Sequence, residues 1–365
     1  MKNFNHFTIK SGFFIFFGDL LPIYAFYNAM FIGVIGGGKV AYILVAMQCS
    51  KLFFDLPSGI IADRFSRFAT LVIGQTCRIL AIQIWLYCQN FNGFLIGAIL
   101  WGASMSFLFG NMEAYIYDSL KTYGKSNVYG KLIGFFYAIQ NIAISIACFY
   151  GENIYNKYSY AGIINFSSAM LIISCIMMYF SNLEIEKQKS SLIYKFEINL
   201  LRFIKMINIF KKDNKIIILF IIAIIQDGLF IFFLDLNTIS MTNIDNNPKS
   251  LTLLVSIVSL LRIFGSIIGS FIYNKISFMI NLILLISLII FVAIGGILYN
   301  YTLVIAITSY LVVYTIMDLT IKSQLQNKIS SESRATILSA LSLFSSLLAI
   351  LLNLCYGLLN TWNYQ

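Results

Sequence analysis

Long apolar windows constrain this 365-residue chain more than any other feature of its sequence. The hydrocarbon core of a bilayer is about 30 Å thick, so a spanning helix needs roughly 20 apolar residues. Windows of that length occur at residues 11–35, 40–62, 68–88, 92–118, 129–150, 160–181, 214–240, 250–273, 278–298, 302–322 and 334–358. Backbone amides inside lipid must be satisfied within their own segment, so we predict eleven transmembrane helices. The expected fold class is an all-α polytopic membrane protein.

The composition agrees with a membrane protein and argues against an enzyme. Hydrophobic residues make up 59% of the chain and charged residues only 11%, whereas soluble domains carry roughly 25% charged residues. The six cysteines form no CxxC pair, and the single histidine, His6, lies in the polar N-terminus. These residues assemble no zinc site, phosphate loop or catalytic triad, so we expect no metal, no cofactor and no enzymatic activity.

Lysine and arginine predict the orientation in the membrane. These residues collect in cytoplasmic loops, and nineteen of the 25 belong to one set of alternate connections, with Lys322 counted among them at the end of the window 302–322. The loops on the opposite side hold only Lys39, Lys157 and Lys249. We therefore expect a cytoplasmic N-terminus, with membrane lipids as the surroundings. The same bias explains most of the net charge of +10, so no nucleic-acid partner is needed.

The longest polar connection divides the chain into three parts. We predict an N-terminal six-helix bundle at residues 1–181, a cytoplasmic linker at 182–213 and a C-terminal bundle at 214–365, in which five spans are visible. The linker mixes apolar and basic residues at helical spacing. It is either a solvated helix that joins the two halves or an amphipathic helix on anionic headgroups.

Three short stretches carry family-like patterns. Residues 59–67 read GIIADRFSR, residues 110–120 read GNMEAYIYDSL and residues 333–339 read SRATILS. They resemble the signature loop after the second helix, the end of the fourth helix and the start of the eleventh helix in the major facilitator superfamily (MFS), especially its bacterial drug-exporter-like branch. The resemblance implies two six-helix repeats around a midplane site, a bacterial inner (plasma) membrane location and a monomer.

The second half departs from that resemblance in its signature loop and in its number of helices. The matching loop of the second half reads GSFIYNK at residues 269–275, with Tyr273 where the repeat would place aspartate. Only eleven spans precede Gln365, so we expect that the twelfth helix of the family is missing from this sequence.

The resemblance also implies a cytoplasmic gate. Gly59 would allow a neighbouring helix to approach closely, and Asp63 would accept hydrogen bonds from amides at the start of the eleventh helix. Arg64 and Arg67 would pair with Asp118, although both arginines can also be explained by the charge bias of cytoplasmic loops. The candidate gating residues are Gly59, Asp63, Arg64, Arg67, Asp118 and Arg334.

Ionisable residues inside predicted spans are candidates for a substrate or proton pathway, because charges at membrane depth are costly and rarely accidental. Asp19 and Asp227 lie in the first helices of the two halves and could exchange protons, as could Glu113. The alternative is a permanent ion pair, for example between Asp19 and Arg78. The full candidate set is Asp19, Tyr24, Arg78, Glu113, Gln140, Asn141, Gln226, Asp227 and Arg262.

The sequence thus predicts a secondary active transporter that moves a small organic solute by alternating access, with protons as the coupling ion. Export of drugs or of a metabolite is the first hypothesis, and uptake of a nutrient or metabolite is the second. A non-transporting or truncated membrane protein is the alternative from another class. An intramembrane enzyme would need clustered carboxylates or a nucleophile with a base, and the scattered single acids argue against it.

Overall fold

A computed structural model describes residues 2–64, 66–125, 129–181, 214–272, 276–298, 300–327 and 331–362. Within these ranges every element of regular secondary structure is an α-helix. The helices are α1 (Lys2–Asp19), α2 (Ile23–Ile35), α3 (Gly37–Arg64), α4 (Arg67–Tyr87), α5 (Phe91–Thr122), α6 (Tyr129–Ser181), α7 (Asn214–Ile244), α8 (Pro248–Ile272), α9 (Phe278–Leu298), α10 (Tyr301–Asn327) and α11 (Ser331–Trp362). The linker predicted at 182–213 lies outside the described residues.

The predicted all-α membrane fold is confirmed. Within the described ranges, nine helical segments are long and apolar enough to cross a membrane. One of them, Leu132–Tyr179, covers two of the predicted spans, because α6 consists of two helical parts that meet at a kink at Ser159. The helical geometry of α6 is interrupted only at Ser159, where φ is 55°.

The first predicted span is two helices rather than one. Helix α1 ends at Asp19 and α2 begins at Ile23, with Pro22 between them. Proline disfavours helical geometry in the residue before it and lacks an N–H for the helical ladder. The predicted span is confirmed as the membrane-length segment Phe7–Ile35, but it is not one continuous helix, and the break leaves Asp19 at a helix end.

Contacts between helices divide the chain into two compact units. The first contains α1 to α6, the start of α8 up to Leu260 and the end of α11 from Tyr356. The second contains α7, the rest of α8, α9, α10 and α11 up to Cys355. The grouping differs from the predicted halves in that pieces of α8 and α11 pack with the first unit.

Small residues create the closest helix contacts of the first unit. A Cβ atom added at Gly102 of α5 would collide with the main-chain oxygen of Met47 in α3. Beside it, the Ser50 hydroxyl donates a 2.6 Å hydrogen bond to the carbonyl oxygen of Ile99. Small residues serve this role in membrane helix packing because they let backbones approach.

Similar contacts hold the second unit together. A Cβ atom at Gly265 of α8 would collide with the Thr315 hydroxyl of α10. The Asn281 amide of α9 donates a 2.7 Å hydrogen bond to the Thr320 hydroxyl. In contrast, large apolar side chains on other faces of α9, such as Ile283 and Ile297, are exposed, as expected for surfaces that contact lipid.

Candidate functional site

Asp19 is the centre of a buried polar network in the first unit. It is only 7% exposed, and both of its carboxylate oxygens have partners. The Tyr24 hydroxyl donates to Oδ1 at 2.7 Å, and the Gln140 amide of α6 donates to Oδ2 at 3.0 Å. Arg78 of α4 places Nη1 at 3.6 Å from Oδ1. The predicted alternative of an Asp19–Arg78 pair matches this geometry.

Arg78 is held from three sides. Besides the contact with Asp19, its Nη1 donates to the main-chain oxygen of Gly18 at 3.2 Å, and the guanidinium carbon lies 5.3 Å from the centre of a Trp101 ring. Its Nε has no hydrogen-bond partner. Pairing and stacking of this kind offset part of the cost of removing a cation from water.

A cavity of about 80 Å³ adjoins this network. Its polar lining includes four of the predicted pathway residues, Asp19, Arg78, Glu113 and Gln140. Two further polar residues, Gln75 and Tyr137, were missed by sequence reasoning. Polar groups thus converge on this cavity from four helices.

Glu113 and Asn141 both interact with Tyr137. The Tyr137 hydroxyl donates to Glu113 Oε1 at 2.5 Å, and the Asn141 amide donates to the main-chain oxygen of Tyr137 at 2.9 Å. Glu113 is exposed and Asn141 is buried. Asn141 thus bonds within its own helix, whereas Glu113 reaches the cavity that Asp19 also lines.

The second unit contains a comparable network around Asp227. The Tyr314 hydroxyl of α10 donates to Asp227 Oδ1 at 2.9 Å, and the Lys322 ammonium lies 3.5 Å from Oδ2. Lys322 also lies 2.6 Å from Asp318 Oδ1, one helical turn away. Two carboxylates therefore share one ammonium group, which leaves the triad one negative charge when all three groups are ionised.

Sequence reasoning missed two members of this triad. Lys322 had been counted with the cytoplasmic connections, and Asp318 had not been considered. A signal was present, because an acid and a base four residues apart lie on one face of a helix, and here they interrupt a long apolar run. Which carboxylate of another helix would join them was not visible in the sequence.

Gln226 and Arg262 lie in the same unit. Gln226 is 1% exposed, and neither polar atom of its side chain has a hydrogen-bond partner. Arg262 stacks its guanidinium carbon 5.0 Å from the centre of the Phe230 ring. Neither residue takes part in the hydrogen bonds or ion pairs of the Asp227 triad.

Of the six predicted gating residues, the structure fully describes only Gly59 and Arg67. The side chains of Asp63, Arg64, Asp118 and Arg334 lie outside the described part of the structure. A Cβ atom at Gly59 would meet no described atom within 4 Å, so the expected close helix approach is not found there. Arg67 is the first residue of α4, and the preceding Ser66 caps that helix by accepting from the Ala69 amide at 3.0 Å.

Comparisons with known proteins identify the family. The sequence model described as Major Facilitator Superfamily matches residues 10–352. A comparison with curated protein sequences gives no match. Solved structures with the same fold include a point mutant of the nucleoside transporter NupG, a D-xylose-proton symporter and the POT family transporter PepTSo.

These structures are similar over nearly the whole chain at low sequence identity. For the mutant nucleoside transporter the TM-score is 0.74 at 12% identity, covering 95% of this chain and 89% of that one. For the symporter the TM-score is 0.73 at 10% identity, covering 97% of this chain and 90% of that one. For PepTSo the TM-score is 0.70 at 12% identity, covering 96% of this chain and 88% of that one. The fold and the family match define a multi-pass membrane transporter rather than an enzyme. The chain belongs to the Major Facilitator Superfamily.

Proposed function

We propose that this protein is a secondary active transporter that couples protons to the movement of a small organic solute by alternating access. We further propose that it acts as a monomer in a bacterial inner membrane, with its N-terminus in the cytoplasm. The last point follows from the distribution of lysine and arginine in the sequence.

One observation carries the proposal, namely the parallel between Asp19 and Asp227. Each is an acidic residue of the first helical segment of one half, and each accepts a hydrogen bond from a tyrosine, at 2.7 Å from Tyr24 and 2.9 Å from Tyr314. Each also lies next to a cation, at 3.6 Å from Arg78 and 3.5 Å from Lys322. Intramembrane carboxylates with such partners are typical of proton relays in transporters.

The chemistry of coupling follows from this arrangement. A proton that binds Asp19 removes the charge that holds Arg78, and the guanidinium then becomes available to substrate. A proton that binds Asp227 instead neutralises the net charge of the triad, while Lys322 stays with Asp318 at 2.6 Å. Loss of the proton restores the ion pair. Access that alternates between the two sides of the membrane lets each step occur on a different side, and this links proton flow to solute flow.

Export is our first hypothesis for direction, because the motifs at residues 110–120 and 333–339 resemble those of drug exporters. Uptake is the second, and the likeness to a D-xylose-proton symporter favours it. Purified protein in proteoliposomes under an imposed pH gradient separates the two. Xylose, uridine, a dipeptide and ethidium are suitable first probes, each offered inside or outside the vesicles.

Variants sharpen the test of coupling. We expect D19N and D227N to lose gradient-driven accumulation while they retain exchange of labelled for unlabelled solute, since exchange needs no net proton movement. Glu152→Gln, which removes a carboxylate of α6 outside both networks, should behave like the wild type. Folded wild-type protein that moves no probe in response to the gradient would contradict proton coupling.

The cytoplasmic gate belongs to the same proposal and rests on the sequence motif. We expect D63N to slow turnover while substrate binding stays close to the wild-type value, because the residue would act between conformations. A large loss of equilibrium binding in D63N would instead assign Asp63 to the substrate site.

A further inference from the structure

Arg262 is a cation inside a membrane helix that has no acidic partner in the described part of the chain. It lies near the middle of α8 and points towards α7, since its guanidinium carbon is 5.0 Å from the centre of the Phe230 ring. Its Nε is buried and has no hydrogen-bond partner. No carboxylate among the described residues lies within ion-pair distance of this guanidinium.

The other charges of the second unit's network are already engaged. Lys322 contacts Asp318 at 2.6 Å and Asp227 at 3.5 Å, and Tyr314 donates to Asp227. Arg78 of the first unit likewise has a partner in Asp19. A cation at membrane depth is costly unless an anion or polar groups compensate it. Among the described residues, Arg262 has an aromatic face beside it but no anion.

A second unpartnered polar group lies on the same face of α7. Gln226 precedes Phe230 by four residues, so the two side chains are neighbours on the helix surface. The Gln226 side chain is 1% exposed, and both its oxygen and its nitrogen lack a hydrogen-bond partner. An amide without partners is itself costly to bury. Two side chains next to Phe230, those of Arg262 and Gln226, therefore have buried polar atoms without a hydrogen-bond partner.

We propose that Arg262 and Gln226 form an anion subsite that binds a carboxylate or phosphate group of the transported solute. The inference rests on the proposed transport function and adds the chemical class of its substrate. The guanidinium supplies charge and up to five N–H donors, and the amide supplies a further donor. Either a carboxylate or a phosphate meets these requirements, since both present paired anionic oxygens.

The subsite is connected to the proposed coupling residue. Phe230 stacks on Tyr314 with ring centres 4.0 Å apart, and Tyr314 in turn hydrogen-bonds Asp227. An anion that binds Arg262 would therefore lie next to Phe230, which stacks on Tyr314, and Tyr314 donates a hydrogen bond to the Asp227 carboxylate. Binding of solute and occupancy of Asp227 by a proton are expected to influence each other through this pair.

The test uses matched solutes that differ in their charged groups. The purified full-length protein is titrated with glutamate and glutamine, succinate and succinamide, glucose 6-phosphate and glucose, and uridine monophosphate and uridine. Binding is followed as the rise in apparent melting temperature. The variants are R262Q, R262K and Lys249→Gln, the last of which removes an exposed cation from the start of the same helix.

We expect the wild type and Lys249→Gln to be stabilised by at least one anionic solute and not by its neutral partner. R262Q should bind that solute at least about tenfold more weakly, as expected when a charged hydrogen-bonding group is lost. R262K keeps the charge and loses the planar fork, so its affinity should be intermediate. Stabilisation by glutamate or succinate indicates a carboxylate ligand, whereas stabilisation by either phosphate ester indicates a phosphate ligand.

Three outcomes overturn the subsite. They are the absence of a shift with every anionic solute, an equal shift with the neutral partner, and unchanged anion binding in folded R262Q or R262K. Transport is measured separately with the same panel in proteoliposomes. Flux of a neutral solute by both wild type and R262Q would leave the transporter in place and reject the subsite, whereas anion binding without any flux would reject the proposed function alone.

Discussion

Ser145 and Ser256 each donate a hydrogen bond to the main-chain carbonyl oxygen of the other, both at 3.1 Å. The first lies in α6 and the second near the start of α8, and both belong to the first unit. Further along the same pair of helices, a Cβ atom at Gly151 would lie 3.2 Å from the Thr252 methyl group. Small residues on both helices allow this close approach, which joins a helix of the N-terminal half to one of the C-terminal half.

Cross-linking this contact should stop transport if the two helices separate during alternating access. We expect S145C/S256C, prepared in a variant without the native cysteines, to form a disulfide under mild oxidation, because the exchange of hydrogen bonds brings the two backbones close together. Flux in proteoliposomes should be lost on oxidation and restored by reductant. Mass spectrometry of the linked peptides measures formation of the bond.

The single variants S145C and S256C provide the control, since neither can form the bond. Both should transport normally with and without oxidant. Full flux in the cross-linked double variant would show that α6 and α8 remain together through the cycle at this point.

Helix packing in the first unit yields a second prediction. Gly102→Ala should destabilise the protein by about 1–3 kcal/mol, the usual cost of an overpacked site, because the new methyl group would collide with the main-chain oxygen of Met47. The α3 backbone would have to move, and the Ser50 hydrogen bond to Ile99 lies beside it. The apparent melting temperature in detergent should fall accordingly.

Gly33→Ala is the matched control for that substitution. No described atom lies within 4 Å of its Cβ position, and alanine favours the helix by up to about 1 kcal/mol over glycine. Stability should stay the same or rise slightly. Equal losses in the two variants would mean that the contact with Met47 does not control the effect.

The sequence predicted the membrane helices well because the thickness of the bilayer sets the length of the apolar windows. Apolar windows of about 20 residues gave α4, α9 and the start of α10 nearly to the residue. It failed where local stereochemistry overrides hydropathy. Pro22 divides one apolar window into α1 and α2. In α6 the first helical part extends past residue 150 and reaches the kink at Ser159, directly before the predicted start of the next span.

The candidate site could be predicted residue by residue but not as a network. The free-energy cost of placing a charged side chain at membrane depth was enough to identify Asp19, Arg78, Asp227 and Arg262 from the sequence. Which of them meet depends on helix rotation and on the path of the chain, and neither can be read from a single sequence. Asp19 and Arg78 form a pair, whereas Asp227 pairs with Lys322, a residue that the charge bias had placed with the cytoplasmic connections.

The pair of Asp19 and Arg78 yields a third prediction. R78Q leaves the 7%-exposed Asp19 without its cation, and breaking one side of a buried pair typically costs about 3–5 kcal/mol. The double variant D19N/R78Q should be more stable than R78Q, because it removes the orphaned charge. A thermal-unfolding double-mutant cycle that gives zero coupling energy would contradict an interaction between the two residues.

The triad of Asp227, Asp318 and Lys322 yields the last prediction, and its direction follows from charge. K322Q leaves two carboxylates close together with no cation, so the net charge of the triad falls from −1 to −2. D227N instead brings it to zero and leaves the 2.6 Å contact between Lys322 and Asp318 intact. We therefore expect K322Q to lower the apparent melting temperature far more than D227N does, and D318N/K322Q to recover part of the loss. Lowering the pH should also stabilise K322Q relative to the wild type, because protons can neutralise its carboxylates. If K322Q and D227N were equally stable at every pH, the two carboxylates would not share the lysine in the folded protein.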